Sequence, residues 1–217
     1  EPIQTPTASD VTISGLGDLI LTQTDADGKQ WTASGTVAAN ASGNAAFSIT
    51  VLDNAGNRGS PETTTTDGTS VTLDTTKPTL PTVTLTSSNA ATNRAKSGDT
   101  LTLAFTSSEA ITSPTVTLAG DSETLELSSN SEKTEWSAVY RVKASEVERE
   151  VTYSISYQDA AGNPGDALVD TSPATSIRID TTAPTLSDVR LYSENSDTTV
   201  AKASDEVILE FNSSEAL

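Results

Sequence analysis

The sequence predicts an all-β fold arranged as tandem β-sandwiches, and three observations carry that prediction. Thr, Ser, Ala, Val and Asp dominate while aromatics make up only 4%. Thr and Val suit pleated, half-buried strands, and the abundant Ser, Asn, Asp, Gly and Pro punctuate turns. The apolar residues also alternate with polar ones, which a disordered chain with the same 34% hydrophobic content and net charge of −18 has no reason to do. Finally, the chain repeats itself. Its 217 residues suit roughly two sandwiches of about 100 residues each.

The repeat has a constant spacing. Asp74-Thr75-Thr76-Lys77-Pro78-Thr79-Leu80 returns 106 positions later as Asp180-Thr181-Thr182-Ala183-Pro184-Thr185-Leu186. Asp53-Asn54-Ala55-Gly56-Asn57 returns at the same 106 as Asp159-Ala160-Ala161-Gly162-Asn163. Leu101 to Phe105 with Ser107-Ser108-Glu109 matches Val207 to Phe211 with Ser213-Ser214-Glu215, and Trp31 precedes Trp136 by 105.

Within 77–182 the strands follow in order. Val83 and Leu85 open the series, then Leu101, Leu103 and Phe105, then Val116 and Leu118, then Leu125 and Leu127. Trp136, Ala138, Tyr140 and Val142 come next, followed by Val151, Tyr153, Ile155 and Tyr157, with Ile177 and Ile179 last. About seven short strands separated by turn residues make an immunoglobulin-like pattern. Trp31 and Trp136 are the expected core anchors. The phase of the repeat predicts that 77–182 is a complete sandwich, 1–76 the C-terminal part of another and 183–217 the N-terminal part of a third. Glu1-Pro2-Ile3 aligns with Glu109-Ala110-Ile111 and with Glu215-Ala216-Leu217, so the chain reads as a cut through a longer array.

These strings, with Gly98-Asp99 ahead of Leu101 and the Pro114–Gly120 segment, resemble the bacterial Ig-like repeats of giant surface adhesins and extracellular filament proteins. The resemblance covers nearly the whole chain. It implies a secreted or cell-surface spacer that holds a terminal binding domain away from the cell, with Ca²⁺ at domain junctions in some members. The partners it implies are neighbouring Ig-like domains of the same or identical chains.

The chemistry available is narrow. The chain has no His, Cys or Met, so imidazole bases, thiol nucleophiles and soft metal ligands are excluded. Thirty acidic residues against twelve basic ones oppose nucleic acid and anionic lipid as partners, and no stretch reaches the roughly 20 apolar residues of a membrane span. Oxygen ligands remain, and they suit Ca²⁺. The recurring Asp53, Asp74, Asp159 and Asp180 are the candidate ligands, set against the plainer expectation that Asp-x-Ala-Gly-Asn is a hairpin corner capped by its own side chains. Asp25-Ala26-Asp27-Gly28 resembles the start of an EF-hand loop but lacks the later acid, and is expected to be a turn. Glu132 and Glu135 read as a solvated strand edge rather than a glycosidase pair. The chain is therefore expected not to be an enzyme. Pro78 and Pro184 predict short, stiff linkers and a rod. The alternatives are a glycan- or protein-binding Ig-like module and an accessory domain of a secreted polysaccharide-degrading enzyme. Val207, Leu209 and Phe211 are candidates for strand exchange into the 1–76 segment of another molecule.

Overall fold

The computed structural model describes residues 3–7, 9–121, 123–170 and 176–215, and among these the chain is all-β, with eighteen strands in seven sheets and no helix. The architecture has β-sandwich character. In the alignment of Glu1-Pro2-Ile3 with Glu215-Ala216-Leu217, Glu1, Pro2, Ala216 and Leu217 lie outside the described residues. The chain divides into two compact units. One comprises Glu1–Leu85, Thr102–Val139 and Thr152–Thr171, the other Thr86–Leu101, Tyr140–Val151 and Ser172–Leu217.

In the first unit three antiparallel pairs form early: β1 (Val11–Ile13) with β5 (Phe47–Ile49), β2 (Ile20–Gln23) with β3 (Trp31–Ser34), and β4 (Ser42–Asn44) with β6 (Thr72–Asp74). The β2–β3 turn is closed by Asp25, whose Oδ1 accepts from the backbone N–H of Lys29 at 2.9 Å and of Gln30 at 3.0 Å. The Asp25–Gly28 segment is thus a capped turn, as its missing later acid predicts. A four-stranded sheet follows in the order β11 (Glu126–Ser129), β12 (Glu135–Arg141), β9 (Thr100–Thr106), β7 (Thr82–Ser87). A three-stranded sheet has the order β10 (Ile111–Leu118), β14 (Tyr153–Asp159), β15 (Leu168–Asp170). Period-two alternation buries one face of each: Leu103, Phe105 and Ala138 from the larger sheet, Ile111, Val116, Leu118 and Ile155 from the smaller. Each large aliphatic or aromatic side chain so buried contributes about 1.5–3 kcal/mol.

The sequence reading opens this strand at Val116, whereas β10 begins at Ile111 and carries Pro114 within it. The structure accommodates it with a bulge: the register with β14 shifts between Thr112 and Thr115, and Ser113 takes φ 39°. A proline cannot donate a ladder hydrogen bond, so it needs such an interruption.

In the second unit β16 (Arg178–Ile179) lies between β13 (Arg149–Glu150), antiparallel to it, and β8 (Arg94–Ala95), parallel to it. Ala95, Leu101, Tyr140, Val142, Val151, Ile177 and Ile179 are its buried apolar residues. The Tyr140 hydroxyl donates to the Glu146 carboxylate, which also pairs with Arg149 at 2.7 Å. A long antiparallel hairpin of β17 (Leu186–Ser193) and β18 (Val207–Ser213) completes the unit.

Hydrogen bonds recur at the repeat spacing. Gly43 faces Leu73 as Arg149 faces Ile179. Leu21 faces Ala33 as Leu127 faces Ala138. Thr79 N–H donates to Ser108 Oγ and Thr185 N–H to Ser214 Oγ, both at 3.0 Å or less. Asp99 and Asp205 each accept from an asparagine side chain and a lysine N–H at equivalent positions.

Candidate metal centre

The site is built on the two Asp-x-Ala-Gly-Asn turns. At the end of β14, Asp159 Oδ1 accepts from the Asn163 N–H at 2.9 Å and Oδ2 from Asn163 Nδ2 at 2.7 Å. Gly162 takes φ 91°, a conformation that a Cβ would strain. Asp53 is held in the same way, by the N–H groups of Ala55 and Asn57 and by Asn57 Nδ2. Both turns are therefore self-capped corners. The donated hydrogen bonds of Asn57 hold the Asp53 carboxyl below its usual range. Burial works to raise Asp159, but the Asn163 side chain and turn N–H groups outweigh it, and its carboxyl is lowered too.

What separates the two turns is their company. Asn163 Nδ2 also donates to the backbone carbonyl of Asp74, at 3.1 Å. Asp74 ends β6, and its own carboxylate accepts from the Thr76 N–H. Glu109 follows the Ser107-Ser108 corner, where Ser107 Oγ donates to the Glu109 carbonyl at 2.5 Å. One carboxylate oxygen from each of Asp74, Glu109 and Asp159 lies within 4.8 Å of the others. Oxygens bound to one Ca²⁺ at about 2.3–2.6 Å can stand no more than about 5 Å apart, so the three reach a single ion. Asp159 is buried and the other two half-buried. Burial raises the Glu109 carboxyl above its ordinary range, and the charges of Asp74 and Asp159 add to that rise. A cation of all-oxygen preference is the group such a cluster fits, because it offsets this repulsion.

No family model, curated protein or solved structure matches this chain.

Of the four acids that the repeat singles out, the structure brings Asp74 and Asp159 together and leaves Asp53 and Asp180 outside the cluster. Asp180 lines a cleft with Asn89, Arg94, Lys96 and Glu215; Asp180 and Glu215 stand 106 positions after Asp74 and Glu109. Glu109 is the member of the cluster that the sequence reading passes over. The recurrence of Ser-Ser-Glu at 107–109 and 213–215 is the signal that marks it. Trp31 and Trp136, expected as core anchors, are each half-buried. Their indole N–H groups need acceptors, and they find them in turn carbonyls, at Gly28 (3.2 Å) and Lys133 (3.0 Å), which draws both rings toward the rim. Val207, Leu209 and Phe211 all lie on β18, and all three are exposed. Among the described residues no helix is long and apolar enough to cross a membrane.

Proposed function

We propose that this chain is part of a tandem array of immunoglobulin-like sandwiches. In this reading it serves as a non-enzymatic extracellular spacer of a microbial surface adhesin or filament, with Ca²⁺ held by Asp74, Glu109 and Asp159. The observation that carries the reading is the recurrence, 106 residues apart, of one capped turn and the hydrogen bonds around it. A repeat in which structural bonds recur, while a cation site is assembled from a strand end and two turns, suits a module that maintains distance and stiffness. The strongly acidic surface keeps such modules soluble.

Small-angle scattering extrapolated to zero concentration tests the spacer. The expected radius of gyration is well above the roughly 17 Å of a compact globule of this length. A compact value overturns the reading.

A further inference from the structure

We infer that Asn163 cuts its own chain: its side-chain amide closes on its own backbone carbonyl and releases Pro164 as a new N-terminus. The activity goes beyond the spacer reading and requires no bound cation. Ring closure joins Nδ2, Cγ, Cβ, Cα and the carbonyl carbon of one residue, so nucleophile and target never have to find each other.

Three observations single out this bond. An asparagine is ordinarily consumed when the N–H of the next residue attacks its side chain and expels ammonia, which leaves the chain unbroken. Of the chain's asparagines only Asn163 precedes a proline. Pro164 has no N–H, so that route is closed and attack by the side chain on the backbone remains. Next, Nδ2 of Asn163 donates to Asp159 Oδ2 at 2.7 Å, which puts a proton acceptor on the nucleophile. Last, the Asn163 carbonyl oxygen accepts from the Asp159 backbone N–H at 3.2 Å, a donor placed where negative charge develops during attack. The leaving side is held as well: Pro164 is bridged to Gln158, and the Gly165 N–H donates to the Tyr157 carbonyl at 3.1 Å.

In the step itself, Nδ2 bonds to the Asn163 carbonyl carbon and the bond from that carbon to the Pro164 nitrogen breaks. One Nδ2 hydrogen passes by way of the Asp159 carboxylate to the proline nitrogen, which leaves as a secondary amine. The other hydrogen stays on the ring. No water, oxidant or reductant is consumed, and residue 163 ends as a succinimide. The pairing of β15 with β14, from Tyr153 opposite Asp170 to Ile155 opposite Leu168, keeps the severed 164–217 segment in place. The imide nitrogen carries one hydrogen where the amide carried two, so it can no longer serve both Asp159 and the Asp74 carbonyl. The repeat supplies a control. Asn57 Nδ2 donates to Asp53 Oδ2 at 2.6 Å and the Asn57 carbonyl accepts from the Asp53 N–H at 3.0 Å, but Arg58 follows, and its N–H keeps the deamidation route open.

The full chain is incubated in EDTA well below its melting temperature, with a urea-unfolded sample alongside, and both are followed by mass spectrometry. The expected cut lies between Asn163 and Pro164, runs faster in the folded sample, and has no counterpart after Asn57. The new C-terminus is a succinimide or, once that ring opens, a mixture of asparagine and isoasparagine. Asp159→Asn slows the folded reaction by about a hundredfold, the scale of a positioned proton acceptor. Pro164→Ala leaves Asp159 in place but restores an N–H, and replaces the cut by deamidation. A folded chain that is cut no faster than the unfolded one overturns the inference. So does a terminus of asparagine alone, since that is plain hydrolysis, and so does a Pro164→Ala chain cut as fast as wild type.

Discussion

Asn163 ties Asp159 to Asp74: its side-chain amide donates to the Asp159 carboxylate at 2.7 Å and to the Asp74 backbone carbonyl at 3.1 Å. Asn57 makes the first of these bonds, to Asp53, at 2.6 Å. One amide therefore both closes a turn and fixes where the end of β6 lies, which is what brings the Asp74 carboxylate within reach of Glu109 and Asp159.

Asn163→Ala is expected to destabilise the protein by about 1–3 kcal/mol, the cost of leaving a buried charged acceptor short of a partner. Asn57→Ala is expected to cost less, because Asp53 remains open to water. Urea unfolding of the two variants side by side measures the difference. Equal losses would reduce Asn163 to a turn cap.

Calcium is expected to raise the melting temperature of the wild-type chain relative to EDTA, and to do so far less in Asp159→Ala. At one hundred times Kd the ion contributes about 2.7 kcal/mol. Superimposable melts of the wild type in the two buffers would leave the cluster without a cation.

Glu109→Gln separates repulsion from ligation. In EDTA the variant is expected to melt higher than wild type, because a neutral amide removes a carboxylate that burial and two neighbouring acids disfavour. In saturating Ca²⁺ the order reverses, because a charged ligand is lost. Calorimetry in both buffers reads the crossing.

The pH dependence in EDTA follows from opposite shifts. Glu109 is raised above 4.5, so its unfavourable contribution is present at neutral pH and disappears as pH falls toward 4.5. Asp159 and Asp99 are lowered below 3.8, so their stabilisation is complete above that value and is lost as pH falls through their folded values. Stability is expected to rise slightly on mild acidification and then to collapse below about pH 3.8. Glu109→Gln should abolish the rise and keep the collapse.

Gly165 and Gly59 occupy equivalent positions but differ in surroundings. A Cβ on Gly165 would stand 2.1 Å from Cε2 of the Tyr157 ring, while one on Gly59 comes no nearer than 3.4 Å to the Val51 carbonyl and 3.8 Å to its Cγ2. Gly165→Ala is expected to cost about 1–3 kcal/mol and Gly59→Ala much less, measurable as a difference in denaturation midpoint.

Much of the strand pattern was legible because period-two alternation is a local signal: Leu101, Leu103 and Phe105 announce β9, and Tyr153, Ile155 and Tyr157 announce β14. The alternation takes Val151 into that same strand, but β14 begins at Tyr153 and β13 is a separate two-residue strand. The site was half legible. Asp74 and Asp159 stood out through repetition, but that signal marks Asp53 and Asp180 equally, and only the fold distinguishes them. Glu109 lies 35 residues from Asp74 in sequence, and a carboxylate after two serines looks like any solvated turn. Its role depends on which turns end side by side, which no local pattern encodes. Both tryptophans are half-buried, each indole N–H donating to a turn carbonyl, a bond that a hydrophobicity pattern does not register.

The bulge at Pro114 has a consequence for aggregation. Among the described residues β10 is one of the two edge strands of its three-stranded sheet, and such a strand ordinarily offers a template to any passing chain. A residue with no N–H, next to Ser113 twisted to φ 39°, spoils that template midway along its length. Sticking through this edge is suppressed by the backbone itself, without spending a surface charge.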